Sequence, residues 1–201
     1  MIMELEQVGA QNGARPRQAG PWHWTVEWYE QASELGWFEG RRVELVDGEI
    51  TEMSPMGVPH INSTTNLTYA FIDKLPRSLR VLVQIPLTLS EDNQPEPDVA
   101  VVDASSMSQR PTTARLVVEV SDSTLRFDRT TKDALYASAR IPEYWILDVN
   151  ARTLEVRRDP VEDALSSSGW RYGSTRALRE SDSVSPLCAP DVSLDVRDML
   201  L

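Results

Sequence analysis

One cysteine in 201 residues, Cys188, rules out an internal disulfide and any cysteine-built zinc cage. Histidine is nearly as scarce. His23 and His60 are far apart in sequence, so redox and structural-zinc chemistry drop out. No apolar run approaches the roughly 20 residues that span a bilayer, and the start, Met1-Ile2-Met3-Glu4-Leu5-Glu6, lacks a basic stretch followed by an apolar one. A cytoplasmic protein without membrane partners is expected. Positive charge is also in deficit: 20 Lys and Arg against 31 Asp and Glu give a net charge of −11 and a pI near 4.7. That balance argues against broad electrostatic attraction to nucleic acid. Charge can still be local, because Arg110, Arg115, Arg126, Arg129, Arg140, Arg152, Arg157 and Arg158 fall in one half, and a bound metal ion reverses the sign of an acidic pocket.

What is present is ordinary globular composition, 41% hydrophobic and 25% charged, in a length that suits one domain. Residues 1–20, rich in Gly, Gln, Ala and Arg, lack apolar periodicity and read as a flexible tail before a single domain over 21–201. Thr25 caps a predicted helix reaching about Trp37. Asp47-Gly48 supplies the positive φ angles of a two-residue turn, so Arg42 to Met53 reads as a hairpin. A helix over about Pro59 to Lys74 stops at Pro76, and strands follow at Val81 to Ile85 and Leu87 to Leu89. The polar loop Ser90 to Glu96 leads into Pro97-Asp98-Val99-Ala100-Val101-Val102, and a second loop, Ala104 to Thr113, into Leu116 to Val120. Asp128 is expected to cap a helix through about Ala139. A strand follows at Glu143 to Asp148, a turn leads to Leu154–Arg157, and weaker signals lie at Trp170 to Tyr172 and from Pro190 onward. Strand, helix, strand over 116–148 implies a crossover between parallel neighbours.

Two carboxylates interrupt the apolar strands: Asp98, and Glu119 in Leu116-Val117-Val118-Glu119-Val120. A bare anion among β-branched residues is costly unless something positive meets it. The pair, in strands that the topology makes neighbours, reads as a metal site. Two carboxylates plus the main-chain carbonyl of Val120, with water completing the shell, suit Mg²⁺ or Mn²⁺. Glu44, in Val43-Glu44-Leu45-Val46, can complete that shell, and Lys132 on the following helix can orient a water or counter developing charge. The chemistry this suggests is metal-assisted phosphodiester hydrolysis. Bland readings stand beside it: a strand-opening Asp98, a hairpin Glu44 turned to water, a helix-start His60, and Lys132 as the surface partner of Asp128.

The ordered landmarks Glu44-Leu45-Val46-Asp47-Gly48-Glu49-Ile50, Met53-Ser54-Pro55 with His60, Pro97-Asp98, Val117-Val118-Glu119-Val120-Ser121, Lys132 with Leu135-Tyr136-Ala137, and Ile141-Pro142-Glu143-Tyr144-Trp145-Ile146-Leu147-Asp148 resemble the Uma-type restriction endonuclease family of the PD-(D/E)xK nuclease superfamily. The resemblance runs from about Thr25 to the C-terminus. It implies an α/β, restriction endonuclease-like core with a mixed central sheet flanked by helices, Mg²⁺ dependence, and catalytic positions at Glu44, Asp98 and Glu119. Two residues after Glu119 the superfamily lysine is replaced by Ser121, which points to Lys132 on the next helix instead. Asp122 stands where similar families tend to have proline and adds a negative charge nearby. The implied substrate is nucleic acid, DNA first. Cutting both strands with one site per chain favours a symmetric homodimer. The rival reading is a non-catalytic protein-interaction module on the same fold, supported by the charge of −11 and six tryptophans.

Overall fold

A computed structural model describes residues 22–106, 109–164 and 169–200 of the chain; the N-terminal segment read as a tail and the serines 166–168 lie outside them. Thr25 Oγ1 accepts the Trp28 N–H and caps helix α1 (Val26–Glu34). This helix is shorter than its sequence suggests, because Gly36 at φ 78° turns the chain before Trp37. Strands β1 (Val43–Val46) and β2 (Glu49–Glu52) form the expected hairpin, with Asp47 and Gly48 at φ 50° and 72°. Helix α2 (Val58–Lys74) follows, and then strands β3 (Leu79–Val83), β4 (Val99–Asp103) and β5 (Leu116–Ser121).

The connection out of β5 is helical but irregular: α3 (Leu125–Phe127), a π turn over Asp128–Lys132, and α4 (Asp133–Ser138). Asp128 therefore does not cap the helix. It lies one turn inside, and its Oδ2 accepts Ser121 Oγ at 2.5 Å and Thr124 Oγ1 at 2.7 Å. Strands β6 (Glu143–Asp148), β7 (Thr153–Glu162) and β8 (Trp170–Arg179) complete a six-stranded sheet ordered β3-β4-β5-β6-β7-β8. Only β5 and β6 are parallel, as the strand-helix-strand order requires; every other neighbour is antiparallel. The last two strands run ten residues each, well beyond the short strands expected, because long antiparallel register propagates along the pair. Leu87–Leu89 forms no strand: Gln84 at φ 52° and Pro86 break the extended run, and Leu87 N–H turns to the Pro95 carbonyl. Beyond the sheet, β9 (Ser183–Val184) pairs with β10 (Leu194–Asp195), and α5 (Val196–Met199) packs on α2.

Strands β4, β5 and β6 are buried on both faces, which is why they read as continuous apolar runs. Alternate residues separate into two layers. Val99, Val101, Val118, Val120 and Trp145 meet Leu67 and Phe71 of α2, whereas Ala100, Val102, Val117, Tyr144 and Ile146 meet Leu135 and Tyr136 of α4. Asp98 and Glu119 share the parity of the second set, so the pleat aims both carboxylates toward α4. No helix among the described residues is long and apolar enough to cross a membrane.

Candidate active site

Register brings the two acidic strands into contact. Val99 pairs with Val118, so Asp98 and Glu119 extend the same ladder just beyond its last pair. There the side chains replace missing backbone partners: Asp98 Oδ2 accepts the Val120 N–H at 2.9 Å, and Glu119 Oε2 accepts the Asp98 N–H at 3.3 Å. In an extended strand a residue's N–H and C=O face one edge, so the Val120 carbonyl points to the Asp98 side as well.

Lys132 is buried, 3% exposed, and its ammonium lies 2.6 Å from Glu44 Oε2 and 3.2 Å from Glu119 Oε1. It is not the surface partner of Asp128. Glu44 arrives from the separate β1–β2 hairpin, docked against Gln94 and held by the Glu96 N–H at 3.0 Å. The fold therefore brings together all four acidic and basic candidates, but Glu44 faces the lysine rather than Asp98. Three partners are not among the expected site residues, although His60 and Tyr136 are landmarks of the sequence and His60 reads there as a helix-start residue. His60, on the first turn of α2, has Nε2 3.0 Å from Asp98 Oδ2; Tyr136 donates its hydroxyl to Glu119 Oε1 at 2.7 Å; and Gln84 Nε2 lies 3.5 Å from Asp98 Oδ1. The signal for Tyr136 was its spacing, four residues after Lys132 on one helix.

That spacing explains the π turn. Asp128, Lys132 and Tyr136 all point at β5, yet steps of four in a 3.6-residue helix drift by about 40° each. Widening the turn over Asp128–Lys132 takes the drift back, which keeps Asp128 on Ser121 while Lys132 and Tyr136 both reach Glu119.

Glu44, His60, Asp98, Glu119, Asp128 and Lys132 of this cluster open into a cavity of about 600 Å³, whose wall also includes Arg42, Asp122, Arg126 and Phe127. Asp122 is held close to Gly57: a Cβ there would sit 2.9 Å from Asp122 Oδ2. Burial pushes the Glu119 carboxyl up to about 8; Lys132 opposes this, but Asp98, Asp128 and Glu44 reinforce it. Burial alone would lower Lys132, yet Glu119 and Glu44 outweigh it and hold the amine raised and charged. The pocket is short of positive charge.

Hard oxygen donors in such surroundings fit a divalent cation. The Asp98 Oδ1 contact is long, Glu119 Oε2 accepts, among the described residues, only the long bond from Asp98 N–H, and a positive ion would favour the ionised Glu119. Among the described residues no three of His, Cys, Asp and Glu form a ready cage. Mg²⁺ characteristically needs none, since one or two carboxylates and several waters suffice.

A mixed sheet whose adjacent strand ends carry an aspartate and a glutamate, with a helix lysine between buried carboxylates, defines a restriction endonuclease-like protein. The chain belongs to the Uma2 family, described as "Putative restriction endonuclease", whose profile matches residues 26–197. Among solved structures it is similar to "a putative nuclease belonging to DUF820" from Anabaena variabilis ATCC 29413, at 14% identity and a TM-score of 0.66 over 87% of this chain and 96% of that one. The type IIG restriction endonuclease BpuSI aligns at 15% identity over 50% of this chain and 11% of its own, with a TM-score of 0.35. No curated protein is detectably similar.

Proposed function

We propose that this protein is a Mg²⁺-dependent endonuclease that hydrolyses phosphodiester bonds of DNA, with Mn²⁺ able to substitute. One observation carries the reading: the buried Lys132 ammonium between Glu44 and Glu119, beside Asp98. Asp98 and Glu119, with the Val120 carbonyl, would hold the ion. When bound, it polarises the scissile phosphate and acidifies an attacking water. Lys132 orients that water and counters charge developing on the phosphate oxygens. Glu44 keeps Lys132 ionised and in place. His60 and the Val120 N–H fix Asp98 from one side, and Tyr136 fixes Glu119. Two copies, each with one site, would cut both strands of a duplex.

The test is cleavage of supercoiled plasmid and labelled single strands with Mg²⁺ or Mn²⁺ by wild type, Asp98→Ala and Lys132→Ala. Metal-dependent cutting lost in both variants supports the reading; equal cutting by all three indicates contamination and removes it. A second reading, a non-catalytic interaction module, is favoured by the net charge of −11 and by Trp22 and Trp37, 70% and 66% exposed. Salt separates the two, because DNA binding weakens steeply as salt rises and an apolar contact does not.

A further inference from the structure

Helix α2 has apolar groups on both its faces. Its buried stripe is His60, Ser63, Thr64, Leu67 and Phe71. Its outer stripe is Val58, Ile61, Thr65, Tyr69 and Ile72, of which the four large residues are 69%, 46%, 63% and 60% exposed. A helix covered on one side only ordinarily turns charged groups to water, and one that is apolar all round is ordinarily covered all round. Yet from Met53 to Ile72 the chain has no Asp, Glu, Lys or Arg, in a protein that is 25% charged.

The outer stripe also reads the same from either end. Its spacings are 3, 4, 4 and 3, centred on Thr65. If two such helices cross antiparallel on a two-fold axis at Thr65, Val58 meets Ile72 of the second copy, Ile61 meets Tyr69, and the small Thr65 meets itself where the backbones approach. Such self-complementarity is what an isologous contact requires. We propose that the outer face of α2 is a self-association surface whose occupant is a second copy of this chain.

Charge selects that occupant. Residues 18–109 carry five basic against fourteen acidic side chains, so a second copy is repelled over most of this half. The outer face of α2 is the neutral island within it. A cationic partner would be met by carboxylates on the docking face, and Met53–Ile72 offers none. The helix is about 25 Å long, and exposed Met56, Val83 and Ile85 continue the apolar surface, with Gln84 Nε2 2.9 Å from the Met56 sulfur. Because Gly57 and His60 at the start of α2 line the cavity, the pairing sets Ile72 of one copy beside the pocket mouth of the other. None of these features depends on a catalytic role for Asp98, Glu119 or Lys132, so self-association stands or falls separately from the nuclease reading.

Sedimentation velocity of the full chain from low to high micromolar concentration tests it. Wild type should sediment at twice its 22.6 kDa mass. Thr65→Glu and Thr65→Lys should each be monomeric, since the axis sets like charges face to face, and an equimolar mixture of the two should recover the dimer. Thr65 is exposed and, among the described residues, its hydroxyl bonds only the Ile61 carbonyl, so unchanged circular dichroism melts should show both variants folded. A monomeric wild type, a dimer indifferent to both substitutions, or a mixture that stays monomeric would each overturn the proposal.

Discussion

Glu119 and Glu143 are buried glutamates on neighbouring parallel strands, and their surroundings could hardly differ more. Glu143 is fully buried and receives the Arg158 Nε and Nη2 at 2.8 and 2.6 Å, the Trp145 indole N–H at 2.9 Å and the Leu187 N–H at 2.6 Å. Its charge is answered by a full arginine and two further donors. Glu119 shares one lysine with Glu44, accepts a tyrosine hydroxyl and a long N–H bond, and has Asp98 and Asp128 near enough to raise its pKa. The nearby Glu155 is also met by arginines: burial pushes it up, but hydrogen bonds from Arg129 and Arg157 outweigh burial and leave its carboxyl lowered. Burial of a carboxylate is therefore no sign of chemistry in this fold. An unanswered charge is.

The contrast can be broken in four ways. The largest effect is expected at the satisfied site: Arg158→Leu strands a buried anion and should cost about 3–5 kcal/mol of unfolding free energy in urea titrations. Divalent-ion affinity of the folded variant should stay at the wild-type value. Asp98→Asn or Lys132→Met should do the reverse, lowering metal-dependent plasmid cleavage about 100-fold or more in protein that still unfolds cooperatively. If Arg158→Leu instead abolished ion binding, the division between structural and functional glutamates would collapse.

The third effect is on pH. Glu119 titrates near 8 in the folded chain and in the ordinary carboxylate range when unfolded, so between those values the folded state binds the extra proton. The metal-free protein should therefore lose stability as pH rises toward about 8, and Glu119→Gln should remove that slope. Since a cation needs the ionised carboxylate, thermal stabilisation by Mn²⁺ should be larger near pH 8 than near pH 6; calorimetry showing the opposite order would refute the assignment. Smallest of all is the exposed Arg115–Asp103 pair at 2.8 Å, where Arg115→Ala should shift stability by no more than about 1 kcal/mol.

Sequence spoke clearly where local rules decide. Asp47-Gly48 specified its hairpin, Pro76 its helix stop, and the β-branched runs of β4 and β5 their place inside the sheet. It also paired Asp98 with Glu119, because consecutive strands tend to be neighbours. It failed where distant parts meet. His60 resembled a polar helix-start residue because its partner lies 38 positions away, and Leu87–Leu89 looked like a strand until Gln84 and Pro86 broke the run. The direction of Glu44 depended on how a separate hairpin docks, and alternation within that hairpin could not supply it.

The π turn makes the number of residues between Phe127 and Asp133 a functional quantity in itself. Losing the codon of Arg129, Thr130 or Thr131 would remove no proposed catalytic side chain, yet an ordinary α-turn could not satisfy Ser121 with Asp128 and Glu119 with Lys132 together. Such a deletion variant should fold around its unchanged core and fail to cut. For a gene of this kind, loss of activity can therefore be written as an indel that a comparison of residue types alone would pass over.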